Sequence, residues 1–214
     1  MSRSFDLSVY LVTDRPLCQG RDLLDIVGQA VRGGVSVVQL REKKADTREF
    51  VELARALKAK LASTGVPLLI NDRVDVALAA GADGVHVGQG DMHVADVRRI
   101  LGPQAILGLS TDTLEQVLEA EELPVDYYGV GPVFPTSTKT DFSHQPWGIE
   151  GLRRLRPRIT RPMVGIGGVN AENAARIVSA GADGIAVVSA ICSAPSPEDA
   201  ARILAKAVAA GRLP

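Results

Sequence analysis

Short apolar runs alternate with longer segments of helical period along the chain, and this alternation restricts the fold more than any other feature. The short runs are rich in β-branched residues, which favours strands, and strands that alternate with helices form parallel sheets. Eight strands are predicted, over Val9–Thr13, Val35–Leu40, Leu68–Asn71, Gly84–Val87, Ala105–Leu109, Tyr127–Val130, Met163–Ile166 and Gly184–Val188.

Capping residues support the helices predicted after these strands. Asp46 precedes Glu49 by three residues, a variant of the capping box, and Ser196 precedes a proline at the first helical position. Gly81 and Gly181 stand where a left-handed residue ends a helix. The predicted helices cover Asp22–Arg32, Arg48–Ser63, Val74–Ala80, Ala95–Leu101, Leu114–Glu122, Ile149–Arg158, Ala171–Ser179 and Pro197–Ala209.

Eight strand–helix units predict an α/β fold, a single (β/α)8 TIM barrel that forms one catalytic domain over residues 1–214. A weak internal repeat agrees with this, because Ala80–Val87 recurs as Ala180–Val187, one hundred residues and four units later. A doubly wound open sheet is the alternative. It would require a glycine-rich dinucleotide-binding turn after the first strand, where residues 14–16 read Asp-Arg-Pro.

The balance of charge indicates small ligands rather than polymers. The chain has 24 Lys and Arg against 25 Asp and Glu, a net charge of −1, and only 4% aromatic residues. It therefore offers no long-range attraction for a polyanion and few rings on which bases could stack. We expect phosphorylated small molecules as partners, with no nucleic acid and no membrane, and a homo-oligomer is left open.

Two cysteines, Cys18 and Cys192, match neither a metal-ligand spacing nor a disulfide framework. The apolar run near the first residues is too short for a secretory signal, so we expect a cytoplasmic protein with reduced thiols. The two cysteines follow the first and last strands, which become neighbours if the barrel closes, so their proximity is an open question.

Candidate functional residues collect at the predicted carboxyl ends of the strands, where such barrels place their chemistry. At the end of the second strand, the side-chain period of two puts Gln39, Arg41 and Lys43 on one face for as long as the strand lasts. Two cations and an amide on one face indicate an anion site. The alternative is a solvated charged loop.

Two carboxylates follow the next two strands, Asp72 after the third and Asp91 after the fourth. A carboxylate pair beside a cationic cluster indicates Mg²⁺ that bridges to phosphate oxygens. Alternatively, Asp72 caps the following helix and Asp91 belongs to a glycine-rich turn. His86 is interpreted as a hydrogen-bonded wall residue rather than a ligand.

The later strand ends carry hydroxyls, a lysine and glycines. Ser110 is placed to reach a phosphate, and one residue of 110–112 is expected to cap the next helix. A long loop rich in hydroxyls follows the sixth strand and contains Lys139, as in a lid or binding loop. The seventh strand ends in Gly165–Gly168 and the eighth in Val188–Ser189, and the loops after these two strands commonly bind phosphate in this fold.

In their order along the chain, five motifs resemble those of the thiamine phosphate synthase family: Gln39–Lys43, Ile70–Asp72, Gly84–Asp91, Gly129–Lys139 and Gly165–Gly168. The resemblance implies a transferase that joins hydroxymethylpyrimidine diphosphate to thiazole phosphate through a C–N bond. It implies a carbocation path, with thiamine phosphate and pyrophosphate as products and Mg²⁺ as cofactor.

The resemblance also implies site residues. The pyrimidine diphosphate would be bound by Gln39, Leu40, Arg41, Glu42, Lys43, Asn71, Ser110 and Lys139. The catalytic residues among these would be Arg41, Lys43, Ser110 and Lys139. The thiazole phosphate would be bound by Thr136, Ser137, Thr138, Gly168, Val188 and Ser189, and one Mg²⁺ per site by Asp72 and Asp91.

Two other functions remain as alternatives. A thiazole tautomerase-like isomerase would share the fold and the thiazole phosphate site, but it has no reason to keep a diphosphate and Mg²⁺ apparatus. A non-catalytic phosphate-ligand-binding barrel would be expected to lack at least one of Asp72, Asp91 and Lys139, and this sequence has all three.

Overall fold

Eight parallel strands close into a barrel in the order of the chain, with β1 paired to both β2 and β8. The computed structural model describes residues 5–136 and 145–212. Closure confirms the (β/α)8 prediction and excludes the open sheet. The strands are β1 Val9–Val12, β2 Val37–Leu40, β3 Leu68–Asn71, β4 Gly84–Val87, β5 Ile106–Thr111, β6 Tyr127–Val130, β7 Met163–Ile166 and β8 Gly184–Val187.

A helical layer surrounds the barrel. In the described residues its helices are α1 Leu23–Arg32, α2 Thr47–Leu61, α3 Val74–Ala80, α4 Val94–Leu101, α5 Leu114–Ala120, α6 Gly148–Leu155, α7 Ala174–Ser179, α8 Ser189–Cys192 and α9 Pro197–Gly211. The single-turn α8 was not predicted, because four residues carry no detectable helical period. Short 3₁₀ turns cover Pro16–Cys18 and Arg156–Arg158.

The N-terminal helix caps agree with the sequence at two predicted positions and differ at one. Asp46 and Ser196 accept hydrogen bonds from backbone amides in the first turns of α2 and α9, as predicted. The expectation that a residue of 110–112 caps the next helix was wrong. Thr113 caps α5 in a full capping box with Gln116, because the strand before it extends to Thr111.

Alternation of side chains along the strands divides the core in two. One cluster fills the space between the barrel and its helices, and a smaller cluster fills the barrel interior, including Tyr10, Leu69 and Tyr127. Gly108 makes room for the interior rings, because a Cβ there would clash with Tyr127 and with His86. The interior is therefore packed with side chains, as is usual for this fold.

Closure of the barrel also answers the question of the cysteines. Cys18 and Cys192 are both buried, free thiols. The neighbouring Cys192 thiol lowers the pKa of Cys18, so the two thiols lie close together. In the part of the chain that the structure describes, no helix has the length and apolar character required to cross a bilayer.

Candidate active site

A cavity opens at the carboxyl ends of β2 to β5, and we call it the polar cavity. Charged and amide side chains account for much of its wall. It is lined by Gln39, Arg41, Lys43, Asn71, Asp72, His86, Asp91 and Ser110, among others. The structure therefore brings the polar residues that the sequence singled out on four separate strands to one place.

The end of β2 and the residues that follow it send alternate side chains into this cavity. Leu40 instead packs in the cluster between barrel and helices. Glu42 turns to Arg15, whose Nε donates to its Oε2 over 2.9 Å. Neither side chain lines the polar cavity, because the period of two directs them away from it, and their binding of the pyrimidine diphosphate stays a prediction.

Each cation of the polar cavity is held by a carboxylate. The Arg41 guanidinium lies 3.2 Å from Asp14 Oδ2, and the Lys43 ammonium donates to Asp72 Oδ2 over 2.6 Å. Asp14 was not predicted as a site residue, although it directly follows the first predicted strand. These pairs hold two positive charges at the mouth of β2 and β3, where an anionic ligand can join them.

The two predicted metal-ligating carboxylates lie on neighbouring strand ends and influence each other. Burial opposes ionisation of Asp72, but hydrogen bonds with Lys43 and Asp91 outweigh it and lower its pKa. Burial, and then the Asp72 carboxylate, raise the pKa of Asp91. Two carboxylates in this relation share a site that favours one positive charge between them.

Of the alternative structural roles of these two carboxylates, the helix-cap role of Asp72 is wrong and the turn role of Asp91 is confirmed. Asp72 does not cap the next helix, because Arg73 occupies the N-cap of α3 and makes no side-chain cap bond. Asp72 has a φ of +62°, a left-handed conformation that asparagine and aspartate tolerate better than most residues. Asp91 does belong to a glycine-rich turn, where its Oδ2 accepts from the Gly88 amide over 2.7 Å.

A chain of hydrogen bonds crosses the barrel beneath the polar cavity. The Gln39 amide donates to the Tyr10 hydroxyl over 2.6 Å, and that hydroxyl lies 2.8 Å from the hydroxyl of Tyr127. His86 continues the chain, with Nδ1 2.8 Å from Tyr127 Oη and Nε2 2.9 Å from Ser110 Oγ. The interpretation of His86 as a hydrogen-bonded wall residue is confirmed.

The two tyrosines of this chain were missed as functional residues. Burial raises the pKa of Tyr10 and of Tyr127, so both hydroxyls remain protonated. The alternation of side chains along a strand could have indicated them. Tyr10 and Tyr127 lie on predicted strands, at positions that alternate with the helix-facing side chains. This alternation alone does not show that the two tyrosines are in contact.

A second cavity opens at the carboxyl ends of β5 to β8, and we call it the glycine-rich cavity. Small residues and backbone account for most of its wall, including Gly131, Thr136, Gly167, Gly168, Val188 and Ser189. Gly168 has a φ of +65°, and a Cβ there would lie 2.7 Å from Phe134 Cβ and from the Pro135 carbonyl oxygen. Glycine is thus required for the segment after β6 to pack against the β7 loop.

The predicted site residues divide between the two cavities. Gln39, Arg41, Lys43, Asn71, Asp72 and Asp91 line the polar cavity; Thr136, Gly168 and Ser189 line the glycine-rich cavity; and Ser110 and Val188 line both. Ser137, Thr138 and Lys139 lie outside the described residues. Which ligand each residue binds stays a prediction.

Fold and site together define a (β/α)8-barrel protein with two adjoining cavities at the carboxyl ends of its strands. The sequence model of one family, thiamine monophosphate synthase, matches residues 9–191. A thiamine-phosphate synthase of Solidesulfovibrio magneticus is 57% identical over 212 residues, 99% of this chain and 100% of that protein. One of Albidiferax ferrireducens is 56% identical over 191 residues, 89% of this chain and 87% of that protein.

A solved structure is similar as well. The thiamine phosphate pyrophosphorylase from Pyrococcus furiosus superimposes with a TM-score of 0.87 at 38% identity, covering 96% of this chain and 97% of that one. The chain belongs to the thiamine monophosphate synthase family, and it is an enzyme of the transferase class.

Proposed function

We propose that this enzyme couples hydroxymethylpyrimidine diphosphate with thiazole phosphate to form thiamine phosphate and pyrophosphate. The observation that carries the proposal is the pair of adjoining cavities, one lined by cations and carboxylates and the other by glycines and hydroxyls. Two phosphorylated substrates that react with each other require two such sites side by side. The names of the relatives support the same reaction.

The hydrogen-bonded chain beneath the polar cavity suits recognition of the pyrimidine. Its two ends are the Gln39 amide and the Ser110 hydroxyl, and both line the cavity. Amide and hydroxyl groups complement the amine and ring nitrogens of an aminopyrimidine. Because three buried side chains connect the two ends, these groups are held in place before the substrate binds.

The cations of the polar cavity suit the diphosphate. Arg41 and Lys43 both line it, and guanidinium and ammonium groups stabilise negative charge that develops on departing phosphate oxygens. Lys139, which stands between β6 and α6 in the sequence, would add a third cation. Arg41, Lys43 and Lys139 are therefore the proposed catalytic cations, with Ser110 as the hydroxyl that orients the pyrimidine.

Asp72 and Asp91 fit one Mg²⁺ per site. Mg²⁺ is usually held by one or two carboxylates together with water and substrate phosphate oxygens, and these two carboxylates interact directly. In the described residues no group of three or more His, Cys, Asp or Glu could form a metal site by itself, so substrate oxygens would complete the coordination. When bound, the ion would neutralise charge on the departing pyrophosphate.

The glycine-rich cavity suits the phosphate of the thiazole. Gly168 brings backbone close to the cavity, and Ser189 begins α8 directly after β8. Loops after the seventh and eighth strands, followed by a short extra helix, form the common phosphate site of this fold. Thr136 supplies a hydroxyl from the segment after β6.

The reaction itself needs little from the protein beyond charge and position. The bond between the pyrimidine methylene and the diphosphate breaks, and its electron pair leaves with pyrophosphate. The electron-rich aminopyrimidine delocalises the resulting cation, and the thiazole nitrogen captures it. No protein nucleophile or general base takes part, so placing the two substrates in contact supplies much of the acceleration.

The direct test is incubation of the protein with both phosphorylated substrates, with and without Mg²⁺, followed by chromatographic detection of products. We expect thiamine phosphate and pyrophosphate in equal amounts, and only with Mg²⁺. Isomerised thiazole without coupling would instead identify a tautomerase-like isomerase. Binding of both substrates without any product would identify a non-catalytic barrel.

A further inference from the structure

The polar and glycine-rich cavities share part of their walls. Six described residues line both cavities, namely Ser110, Asp112, Gly129, Ile166, Ala186 and Val188. If each substrate occupies one cavity, the reacting carbon and nitrogen meet in the space between these residues. Among the described residues that line both cavities, Asp112 alone carries a charge.

Local structure holds Asp112 at this position without using its carboxylate as a cap. β5 ends at Thr111, and the Asp112 amide donates to Gln116 Oε1 over 2.7 Å. The capping box of α5 is completed by Thr113 and Gln116. The fold of this turn therefore depends on the Asp112 backbone, and the helix does not require a carboxylate there.

The chemistry of the proposed reaction calls for negative charge at this point. When the methylene–oxygen bond breaks, positive charge develops on the methylene carbon. When the nitrogen lone pair forms the new bond, the thiazole becomes a thiazolium cation. No proton is transferred, so the positive charge remains in the space between the two cavities from the first step to the product.

On the basis of the proposed function, we infer that Asp112 is a further catalytic residue, whose carboxylate stabilises the positive charge on the methylene carbon and then on the thiazolium nitrogen. Arg41 and Lys43 line the polar cavity and not the glycine-rich cavity, so in the proposed reaction they lie beside the departing anion. The site thus places opposite charges where opposite charges develop, the arrangement that lowers a barrier most effectively.

A structural role for Asp112 makes a different prediction. Asp112 also borders a side groove between α5 and α6 that Arg154 and Arg158 line. If the Asp112 carboxylate served only to balance the charge of these arginines, its removal would change the stability of the protein. The affinities for a neutral and for a cationic ligand would then change by the same factor. Binding of two ligands that differ in one charge separates the roles.

The experiment compares Asp112→Asn with the unaltered protein by calorimetric titration with thiazole phosphate, whose ring is neutral, and with thiamine phosphate, whose ring is cationic. Both titrations are done without Mg²⁺ and without pyrophosphate. We expect the Kd for thiamine phosphate to rise about tenfold and the Kd for thiazole phosphate to change less than about twofold. In turnover, kcat should fall about tenfold or more with both KM values nearly unchanged.

Glu115→Gln is the matched control, because it removes one negative charge from the same side groove three residues along. It should leave both Kd values and kcat unchanged. Equal weakening of both ligands by Asp112→Asn, or no weakening of either, would overturn the inference. If Asp112→Asn does not fold, Asp112→Glu keeps the charge and must retain the preference for thiamine phosphate that Asp112→Ser loses.

This design separates the inference from the proposed function. If the unaltered protein makes no thiamine phosphate from the two substrates, the proposed function fails whatever the variants do. If it makes thiamine phosphate and the ratio of the two Kd values is the same in Asp112→Asn, only the inference fails.

Discussion

The two cavities of this enzyme are lined by different kinds of groups. The polar cavity uses charged side chains in pairs, such as Arg41 with Asp14 and Lys43 with Asp72. The glycine-rich cavity uses small residues and backbone close to Gly168 and Ser189. In the proposed reaction, the diphosphate changes its charge distribution as it leaves, whereas the thiazole phosphate does not.

This difference has a kinetic consequence. Groups that meet charge as it develops contribute to kcat, whereas groups that bind an unchanging phosphate contribute equally to ground state and transition state and so to KM. We therefore expect substitutions in the polar cavity to act mainly on kcat and those in the glycine-rich cavity mainly on the KM for thiazole phosphate.

The largest effect is expected from the carboxylate pair. Asp72→Asn removes a charge while keeping a residue that tolerates the φ of +62°, and Asp91→Ala removes the partner. Each should lower Mg²⁺-dependent kcat on the order of 10³-fold, with little change in thermal unfolding. Stopped assays across a Mg²⁺ series measure this.

Asp75→Asn is the control for the pair, because Asp75 is exposed and pairs with Arg73 at the start of α3. It should leave turnover unchanged. Near-normal activity of either site variant without added metal would remove that residue from the Mg²⁺ site.

A smaller effect is expected from Lys139→Ala, although this residue lies outside the described residues. If Lys139 meets the departing pyrophosphate, kcat should fall on the order of 10²-fold while the KM for thiazole phosphate stays constant. Steady-state kinetics with each substrate varied in turn measure the two effects, with Lys44→Ala as the control. An increase confined to the thiazole phosphate KM would place Lys139 at the other cavity and break the comparison.

Gly168→Ala tests the glycine-rich cavity. The added Cβ meets Phe134 and Pro135 at 2.7 Å, so the β7 loop must shift, and we expect the KM for thiazole phosphate to rise about tenfold with kcat nearly constant. Gly65→Ala is the control, because Gly65 has a similar φ of +75° but no atom within 4 Å of its added Cβ. Backbone strain should lower the temperature of unfolding of Gly65→Ala, and the KM for thiazole phosphate should not change. Equal KM values for the two variants would contradict the assignment.

The smallest effect on catalysis is expected from Tyr127→Phe, which interrupts the hydrogen-bonded chain. The Tyr10 hydroxyl and His86 Nδ1 lose a buried partner, which costs about 1–3 kcal/mol of stability. The KM for the pyrimidine diphosphate should rise a few-fold, on the order of the loss of one orienting contact.

Tyr128→Phe is the matched control, because its hydroxyl donates to Glu121 over 2.7 Å on the helix-facing side of the same strand. Its loss should lower the temperature of unfolding without changing any KM. If Tyr127→Phe changes stability alone, the chain serves the fold and not the pyrimidine.

Strand ends were predictable from the sequence, and much of the candidate site with them. A period of two is a local property, so the common orientation of Gln39, Arg41 and Lys43 could be seen before any fold was known. The same period, applied one step further, assigns Leu40 and Glu42 to the other side, where the structure has them. The resemblance to the family implied that all five residues of Gln39–Lys43 bind one ligand, which does not take the alternation of side chains into account.

Other features depended on distances that no local pattern contains. Tyr10 and Tyr127 are 117 residues apart, and they meet only because β1 and β6 send side chains to the same level of a closed barrel. Asp112 lies between the two cavities because it follows β5, whose carboxyl end borders both of them. The single turn of α8 is set by the packing that follows β8 rather than by a helical period.

By itself, then, the amino-acid sequence determined which residues form strands and helices and which polar side chains end each strand, because periodicity and capping act over a few residues. Only the tertiary structure decided that Cys18 lies beside Cys192, that Asp72 and Asp91 share a site, and that Asp112 lines both cavities. These relations arise when the eighth strand pairs with the first, since closure fixes the distances between strand ends that the chain leaves far apart.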